Sequence, residues 1–526
     1  MSLLTPHEPA APRPYREVAG WEAIRAGFAA YLADESRLQA ENVARLHFPN
    51  GVDEVAAAVR AVAGRGHRLT ISAGRTGIAG AAVPIEAEEI LSLEDLSGRP
   101  VVDRDADGTW FARVGASVTL AGLADALDHG LCSYPSGRPP EPLYYPIDAT
   151  EISAHIGGTI ATNASGARTL AHGPTRDWVR ALTVVLADGR VLELRRGEVR
   201  ADGAFTLSAR DGSTTTVPLI DLTQPATKHN AGYLLRRDMD AIDLFIGSEG
   251  TLGVVVAAEV RLTVKPANRL FLTQFLADST AALRYVAAVK RHPDLPALAL
   301  EYFGPRALEL MRARGEATTA YVELARLPAG VGAAVYTELP FADEAELDRQ
   351  YAALRAVCAE ADIDPAFSWA GFARQDSVEM KRLRHALPET VNTLIGERKR
   401  SFAALHKVGT DMAVPDAALG EMMEIYESRL EAAGLEFVIF GHVGDGHLHV
   451  NILPRNPEEL DRAKTIYTDF AREAVRLGGS VAAEHGIGRL KKPFMAVQYS
   501  DAELAAMQAV KRALDPGLLL NPGVLF

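Results

Sequence analysis

The stretch FGHVGDGHLHVNILP, Phe440–Pro454, places a Gly444-Asp445-Gly446 turn signal between two apolar arms. Taking Val443–Gly446 as a four-residue hairpin loop sets His442 opposite His447 and Phe440 opposite His449. Opposed residues share a face, and so do residues two apart along a strand. One side of one antiparallel hairpin therefore presents His442, His447, His449 and Asn451. Several imidazoles on a shared face must be wet, hydrogen-bonded or bound to a metal. For any one of them, a satisfied core histidine is the plainer alternative. No His-Glu-x-x-His helix accompanies the cluster, so the common zinc-protease arrangement lacks its support.

Downstream, SVAAEHGIGRLKKP (Ser480–Pro493) puts Glu484 and His485 on a tight turn before Gly486 and Gly488. Alone the pair is ambiguous, because Glu–His pairs occur on many solvated loops. Joined to the hairpin, it completes two histidines and a carboxylate around a divalent ion, with positions left for a substrate. The helices between and beyond are signalled by their caps. Asp416 reads as the N-cap of a helix ending before Gly434, and Asn456-Pro457 opens one that stops at Gly478-Gly479. Ser500 and Glu503 form a capping-box pair for the last helix.

Upstream of Pro266 the texture differs. Three glycine-rich segments occur there: SAGRTGIAG (Ser72–Gly80), HIGGTIATNASG (His155–Gly166) and GSEGTLG (Gly247–Gly253). Gly74, Gly77 and Gly80 recur every third residue behind a strand-like His67–Ile71, and Asp53–Val62 reads as an amphipathic helix before it. Glycine lets a backbone approach a ligand closely, so that a string of amides faces a pyrophosphate. The spacing is neither the G-x-G-x-x-G dinucleotide fingerprint nor a G-K-[ST] phosphate loop. Taken singly, each segment also reads as an ordinary glycine-rich connection.

The 526 residues suffice for two or more domains. Lys plus Arg number 55 against 68 Asp plus Glu, a formal net charge of −13, and such an acidic surface disfavours nucleic acid as the main partner. Cys132 and Cys358 are the only cysteines, too few for a four-thiolate iron–sulfur cluster or a disulfide-dense fold, and the low count fits a reducing cytoplasm. No secretory signal and no membrane-length apolar run is visible, so a cytoplasmic protein is expected, with peripheral membrane contact left open. Prolines 6, 9, 12 and 14 mark the first 18 residues as a loose lead-in.

The three glycine segments in this order resemble the FAD-binding domain of the vanillyl-alcohol oxidase and p-cresol methylhydroxylase superfamily. The hairpin, the Glu484-His485 turn and the closing KRALDPGLLLNPGVLF resemble the C-terminal region of its D-2-hydroxyacid dehydrogenases, of D-lactate, D-2-hydroxyglutarate and glycolate-oxidising types. The resemblance implies an α+β chain. A lead-in at 1–36 precedes a two-subdomain FAD-binding domain at 37–266 and an α+β substrate domain with an antiparallel sheet at 267–480. Residues 481–526 return to the FAD site.

For FAD the resemblance implies Ser72, Ala73, Gly74, Arg75, Thr76, Gly77 and Gly80 in the first loop. In the second segment it implies Pro146, Asp148, Gly157, Gly158, Thr162, Asn163, Gly166 and Ala167. Glu249, Gly250, Gly253 and Val254 follow in the third, and Asn521 lies near the flavin. The common first loop has consecutive glycines where this chain has Ala73-Gly74-Arg75, so Arg75 either meets the pyrophosphate or points outward. Some members bind FAD covalently through His or Cys; the first loop holds neither, so non-covalent FAD is expected.

By the same resemblance His442, His449 and Glu484 match metal ligands, His485 the catalytic base, Asn451 a polar residue facing substrate and Arg384 a carboxylate-binding arginine. A solvated helix arginine is the alternative for Arg384. Zn and Mn stay unranked. Position 447 is often Asn in this family and is His here. The hydroxyglutarate type carries Lys where this chain has Gly409, with Lys407 two residues back, which favours a short monocarboxylate such as D-lactate. The expected reaction is oxidation of a D-2-hydroxyacid to the 2-oxoacid. Electrons then pass to a quinone, an electron-transfer flavoprotein, a cytochrome or oxygen; a homodimer is left open. The rivals are an alkylglycerone-phosphate synthase-like flavoenzyme and, from another class, a flavin-free metal hydrolase.

Overall fold

The computed structural model describes residues 15–372 and 374–526. Its first sheet has four strands in the order Arg16–Ala19, Arg45–Phe48, Glu89–Ser92, Leu69–Ser72. The last three run parallel, and the first is an antiparallel edge. The helix Val52–Gly64 is the crossover from Arg45–Phe48 to Leu69–Ser72, which run parallel with Glu89–Ser92 between them. Its Val55, Val59 and Val62 are fully buried, in a core shared with Val185 and Val254 of a second sheet and with Leu519 and Leu520. Each such valine is worth ~1.5 kcal/mol or more of burial. One helix therefore glues two sheets and the C-terminal segment together.

The lead-in is more ordered than its prolines suggest. Residues 1–14 lie outside the described residues, but Arg16–Ala19 pairs with Arg45–Phe48, and Ile24, Tyr31 and Leu32 are core residues. Proline density says nothing about a sheet edge that lies further along the chain.

The second sheet is antiparallel, with strands ordered Val101–Arg104, Trp110–Gly115, Val254–Arg261, Val179–Val185, Val191–Arg195. Thr263–Val264 then pairs with Leu143–Tyr144, and from Asn268 the chain enters a third sheet. That sheet has seven strands, all antiparallel: Ser368–Gly371, Asn268–Leu276, Ala333–Phe341, Ala299–Phe303, Phe437–His442, His447–Ile452 and Val408–Gly409. Strand side chains alternate between its faces. Leu270, Leu272 and Ile439 pack with the helices Ser279–Arg291, Glu344–Glu360 and Leu419–Ala432. Phe271, Phe275 and Val438 pack with Pro305–Ala317 and Arg374–Arg398 on the opposite face.

The caps behave as their residues dictate, with one exception. Asn456 accepts from the Glu459 amide, and Ser500 and Glu503 close their capping box. Asp416 does not cap. A 3-10 turn, Asp416–Ala418, precedes the helix Leu419–Ala432, and the Asp416 carboxylate pairs with Lys290 at 2.5 Å. A distant cation outcompetes the local amide. Among the described residues no helix is long and apolar enough to cross a membrane.

Candidate active site

The glycine segments close on one another. A β-carbon at Gly158 would lie 3.4 Å from that of Ala73, so the second segment lies against the first loop. One at Gly247 would meet Asn163 at 3.3 Å, joining the third segment to the second. Asn521 completes the ring: its Oδ1 accepts from the Ile71 amide at 2.7 Å, and its Nδ2 donates to the Glu249 carbonyl at 2.7 Å. Gly166 is demanded by space, since a β-carbon there would sit 1.9 Å from the Asp148 carbonyl oxygen.

On the first loop the amides of residues 74–76, half-buried, and of 77 and 78, exposed, donate to no protein acceptor among the described residues. Backbone donors are seldom left without partners except where water or a ligand takes them. A run of free amides on a glycine loop is what a pyrophosphate needs, so these residues fit FAD. Arg75 folds back on its own loop, its guanidinium donating to the Ala73 carbonyl at 3.1 Å and lying 4.1 Å over the Tyr31 ring. The Asp148 carboxylate faces Arg384 at 3.3 Å and Arg168 at 3.8 Å. Glu249 turns its carboxylate to the amides of Ile487 and Gly488, at 2.7 and 2.8 Å. Burial pushes its carboxyl up to about 7, against the pull of those amides.

The hairpin forms in the expected register, His442 opposite His447 and Phe440 opposite His449, around the turn Val443–Asp445, with Gly446 at φ 65°. The histidines and Asn451 thus share the sheet face of Val438. His442, His447 and His449 bring one ring nitrogen each within 4.8 Å of one another. Glu484 enters from its turn, its Oε2 3.2 Å from His442 Nε2 and 3.5 Å from His447 Nδ1. His485 stacks on His449 with ring centroids 5.5 Å apart. It is only half-buried, which puts it at the open side of the cluster.

Buried carboxylates orient these rings. Glu301 lies 2.6 Å from His442 Nδ1, and the Thr410 carbonyl 3.3 Å from His449 Nδ1. Asp411 is the hub. Its carboxylate accepts the Glu484 and His485 amides at 3.2 and 3.0 Å, meets Lys491 at 2.5 Å, and faces His447 Nε2 at 3.2 Å and His485 Nδ1 at 3.4 Å. Burial opposes its charge, but His485 and Lys491 hold it well below the usual carboxylate range. Glu484 is held down likewise, by Lys228 at 2.7 Å and by His442. Burial disfavours the His442 imidazolium, yet Glu301 and Glu484 carry it up to about 9. Burial drives His449 and His485 the other way, so both stay neutral.

Of the residues named from sequence, His442, His449, Glu484, His485 and Asn451 come together. Arg384 reaches them through Glu301, 3.7 Å from its Nε. Asp411, Glu301 and Lys228 were not singled out by their chemistry. A lone acid in the apolar strand ALEYF (Ala299–Phe303) and another before Met412-Ala413-Val414 were the available signals, because buried acids are rare unless paired. TKHNAGY, around Lys228, carries no comparable signal.

Residues 265–525 match the family of FAD linked oxidases, C-terminal domain, and residues 43–195 the FAD binding domain family. A D-2-hydroxyglutarate dehydrogenase of Xanthomonas citri pv. viticola is 31% identical over 94% of this chain and 92% of its own. The chain belongs to the FAD-linked oxidase family. Another member, a D-lactate dehydrogenase of Archaeoglobus fulgidus, is 29% identical over 90% of this chain and 89% of its own. Among solved structures, an alkyldihydroxyacetonephosphate synthase superposes with a TM-score of 0.62 at 14% identity, covering 92% of this chain and 77% of that one. At that identity it shows the shared fold of this FAD-linked oxidase and no more.

Proposed function

We propose that this FAD-linked oxidase oxidises a D-2-hydroxyacid, D-lactate foremost, to the 2-oxoacid, with a divalent ion at the histidine hairpin and His485 as the base. The observation that carries it is the convergence of two imidazoles on one sheet face with a carboxylate and a half-exposed neutral histidine from the Glu484-His485 turn. When bound, FAD supplies the hydride acceptor and the ion a Lewis acid for the substrate hydroxyl. His485 takes the hydroxyl proton. With Nδ1–H directed at Asp411, Nε2 is the basic nitrogen, and burial keeps it free at neutral pH. Arg384 binds the substrate carboxylate by its planar fork, held in place by Glu301 and Asp148.

The monocarboxylate reading is supported at Gly409, which pairs with Asn451 and contributes no cation. Lys407, where burial pushes the ammonium down, has Arg37 as its charged neighbour rather than the histidine cluster. Non-covalent FAD is supported by a first loop without His or Cys, although His155 packs beside Gly74. Flavin retained in an acid-precipitated pellet would overturn that part. Electrons leave to an external acceptor: a quinone, an electron-transfer flavoprotein or a cytochrome.

The test is anaerobic flavin reduction with D-lactate, D-2-hydroxyglutarate, glycolate and D-malate, with L-isomers as controls, before and after chelation. D-lactate should bleach the flavin fastest, and chelation should slow it while leaving the yellow colour. Preference for a dicarboxylate would overturn the substrate, and unchanged reduction by metal-free enzyme would overturn the ion.

A further inference from the structure

The hairpin holds one imidazole more than the two histidines and one carboxylate of the reading above. His447 is fully buried, and neither of its ring nitrogens makes a well-directed hydrogen bond to protein. Two carboxylates stand beside it, Asp411 at 3.2 Å and Glu484 at 3.5 Å, but neither contact has hydrogen-bond geometry, and a buried polar group so poorly satisfied costs on the order of 1–3 kcal/mol. Asn at this position would leave no such orphan ring.

We propose that His447 is a third imidazole ligand, so that the divalent-ion centre is made of His442, His447, His449 and Glu484; this rests on the ion assigned to the hairpin above. First, each ring turns one nitrogen to an oxygen of the protein, Nδ1 for His442 and His449 and Nε2 for His447. His442 Nδ1 faces Glu301, His449 Nδ1 faces the Thr410 carbonyl, and His447 Nε2 faces Asp411. Metal-bound histidines characteristically direct their second nitrogen to a carboxylate or carbonyl, which fixes the tautomer. His447 meets that rule by distance, its Nε2 lying 3.2 Å from Asp411, though less well directed than the bonds of its neighbours. Second, the remaining nitrogens of His442 and His447 both face Glu484. Ligands at bonds of roughly 2.0–2.1 Å around a tetrahedral ion stand roughly 3.3–3.5 Å apart. Glu484 Oε2 lies 3.2 Å from His442 Nε2 and 3.5 Å from His447 Nδ1, and the three histidines by themselves bring one ring nitrogen each within 4.8 Å of one another. Third, Lys228 meets Glu484 Oε2 at 2.7 Å but leaves that carboxylate further lone pairs for an ion.

The added nitrogen changes which ion the site takes. Imidazole suits Zn and its neighbours, whereas carboxylate, carbonyl and water suit Mn and Mg. Three imidazoles to one carboxylate therefore select Zn over Mn, and exchange of His447 for an amide weakens that preference.

The experiment uses full-length, FAD-loaded protein freed of metal and titrated with Zn, Mn and Co by chelator competition, as wild type, His447→Asn and His449→Ala. His447→Asn should bind Zn at least tenfold more weakly, narrow the Zn-to-Mn preference and alter the visible bands of bound Co, with FAD content unchanged. Zn affinity and Co bands equal to wild type would overturn the proposal. X-ray absorption of Zn-loaded wild type checks the same point without a variant: scattering from three imidazoles supports it, and from two overturns it. Should wild type bind none of the three ions, the reading of an ion at the hairpin fails first, and the proposal with it.

Discussion

The FAD ring and the histidine hairpin recognise their partners by opposite means. The first is built from backbone: amides of residues 74–78 without a protein acceptor among the described residues, glycines admitted by tight loop contacts, and Asn521 hydrogen-bonding two segments together. The second is built from side chains, each held by another: Glu301 on His442, Asp411 on His447 and His485, Lys228 on Glu484. Backbone recognition depends on where the chain is allowed to go, so it is sensitive to added volume. Side-chain recognition depends on charge and proton position, so it fails when a single group is removed.

The sharpest separation between the two regions comes from His485→Ala. Flavin reduction should fall ~10²–10⁴-fold, as expected for loss of a general base, while FAD and metal contents stay at wild-type levels. Rapid-mixing absorbance on protein assayed for both contents decides it; a fall below tenfold would remove His485 from the chemistry.

Next, His449→Ala should empty the metal site and lower turnover on the order of 10²-fold with the yellow colour retained. Simultaneous loss of FAD would mean that the two regions are not independent.

The converse is Gly166→Ala. Its β-carbon would collide with the Asp148 carbonyl, so the glycine ring must shift at a cost of ~1–3 kcal/mol. The variant should release FAD on gel filtration and keep its metal, the mirror image of His449→Ala.

The smallest effect tests the link between the regions. Glu249 joins the glycine ring to the turn carrying Glu484, and burial raises its carboxyl to about 7. A raised acid stabilises the fold fully below its ordinary range of ~4.3, and that contribution disappears as pH rises through 7. Between pH 4 and pH 8 wild type should therefore lose ~1–3 kcal/mol relative to Glu249→Gln in chemical denaturation. A pH-independent difference would mean that Glu249 keeps an ordinary carboxyl.

Much of the hairpin is legible in the sequence because its geometry is local. A four-residue turn and a period of two fix which histidines share a face, and Asn456 and Ser500 cap helices three residues away. Asp416 shows where local reading stops: its competitor, Lys290, lies 126 positions earlier. Glu301 stands 141 positions from His442, and Lys228 stands 256 from Glu484. No periodicity reports such pairs. The glycine loops were visible as motifs, but their closure into a ring needs Asn521, which reaches Ile71 across 450 positions.

By itself the sequence determined the types of chemistry available: a face of imidazoles, a Glu-His turn, three backbone loops able to meet an anion, and too few cysteines for a cluster of iron and sulfur. These follow from residue identity and short-range geometry. Only the tertiary structure decided which carboxylate orients which ring, which cation keeps Glu484 ionised, and that Arg384 meets the cluster through Glu301. Protonation and orientation are set by burial and by charges within a few ångströms, and in this chain those charges come from segments tens to more than two hundred residues apart.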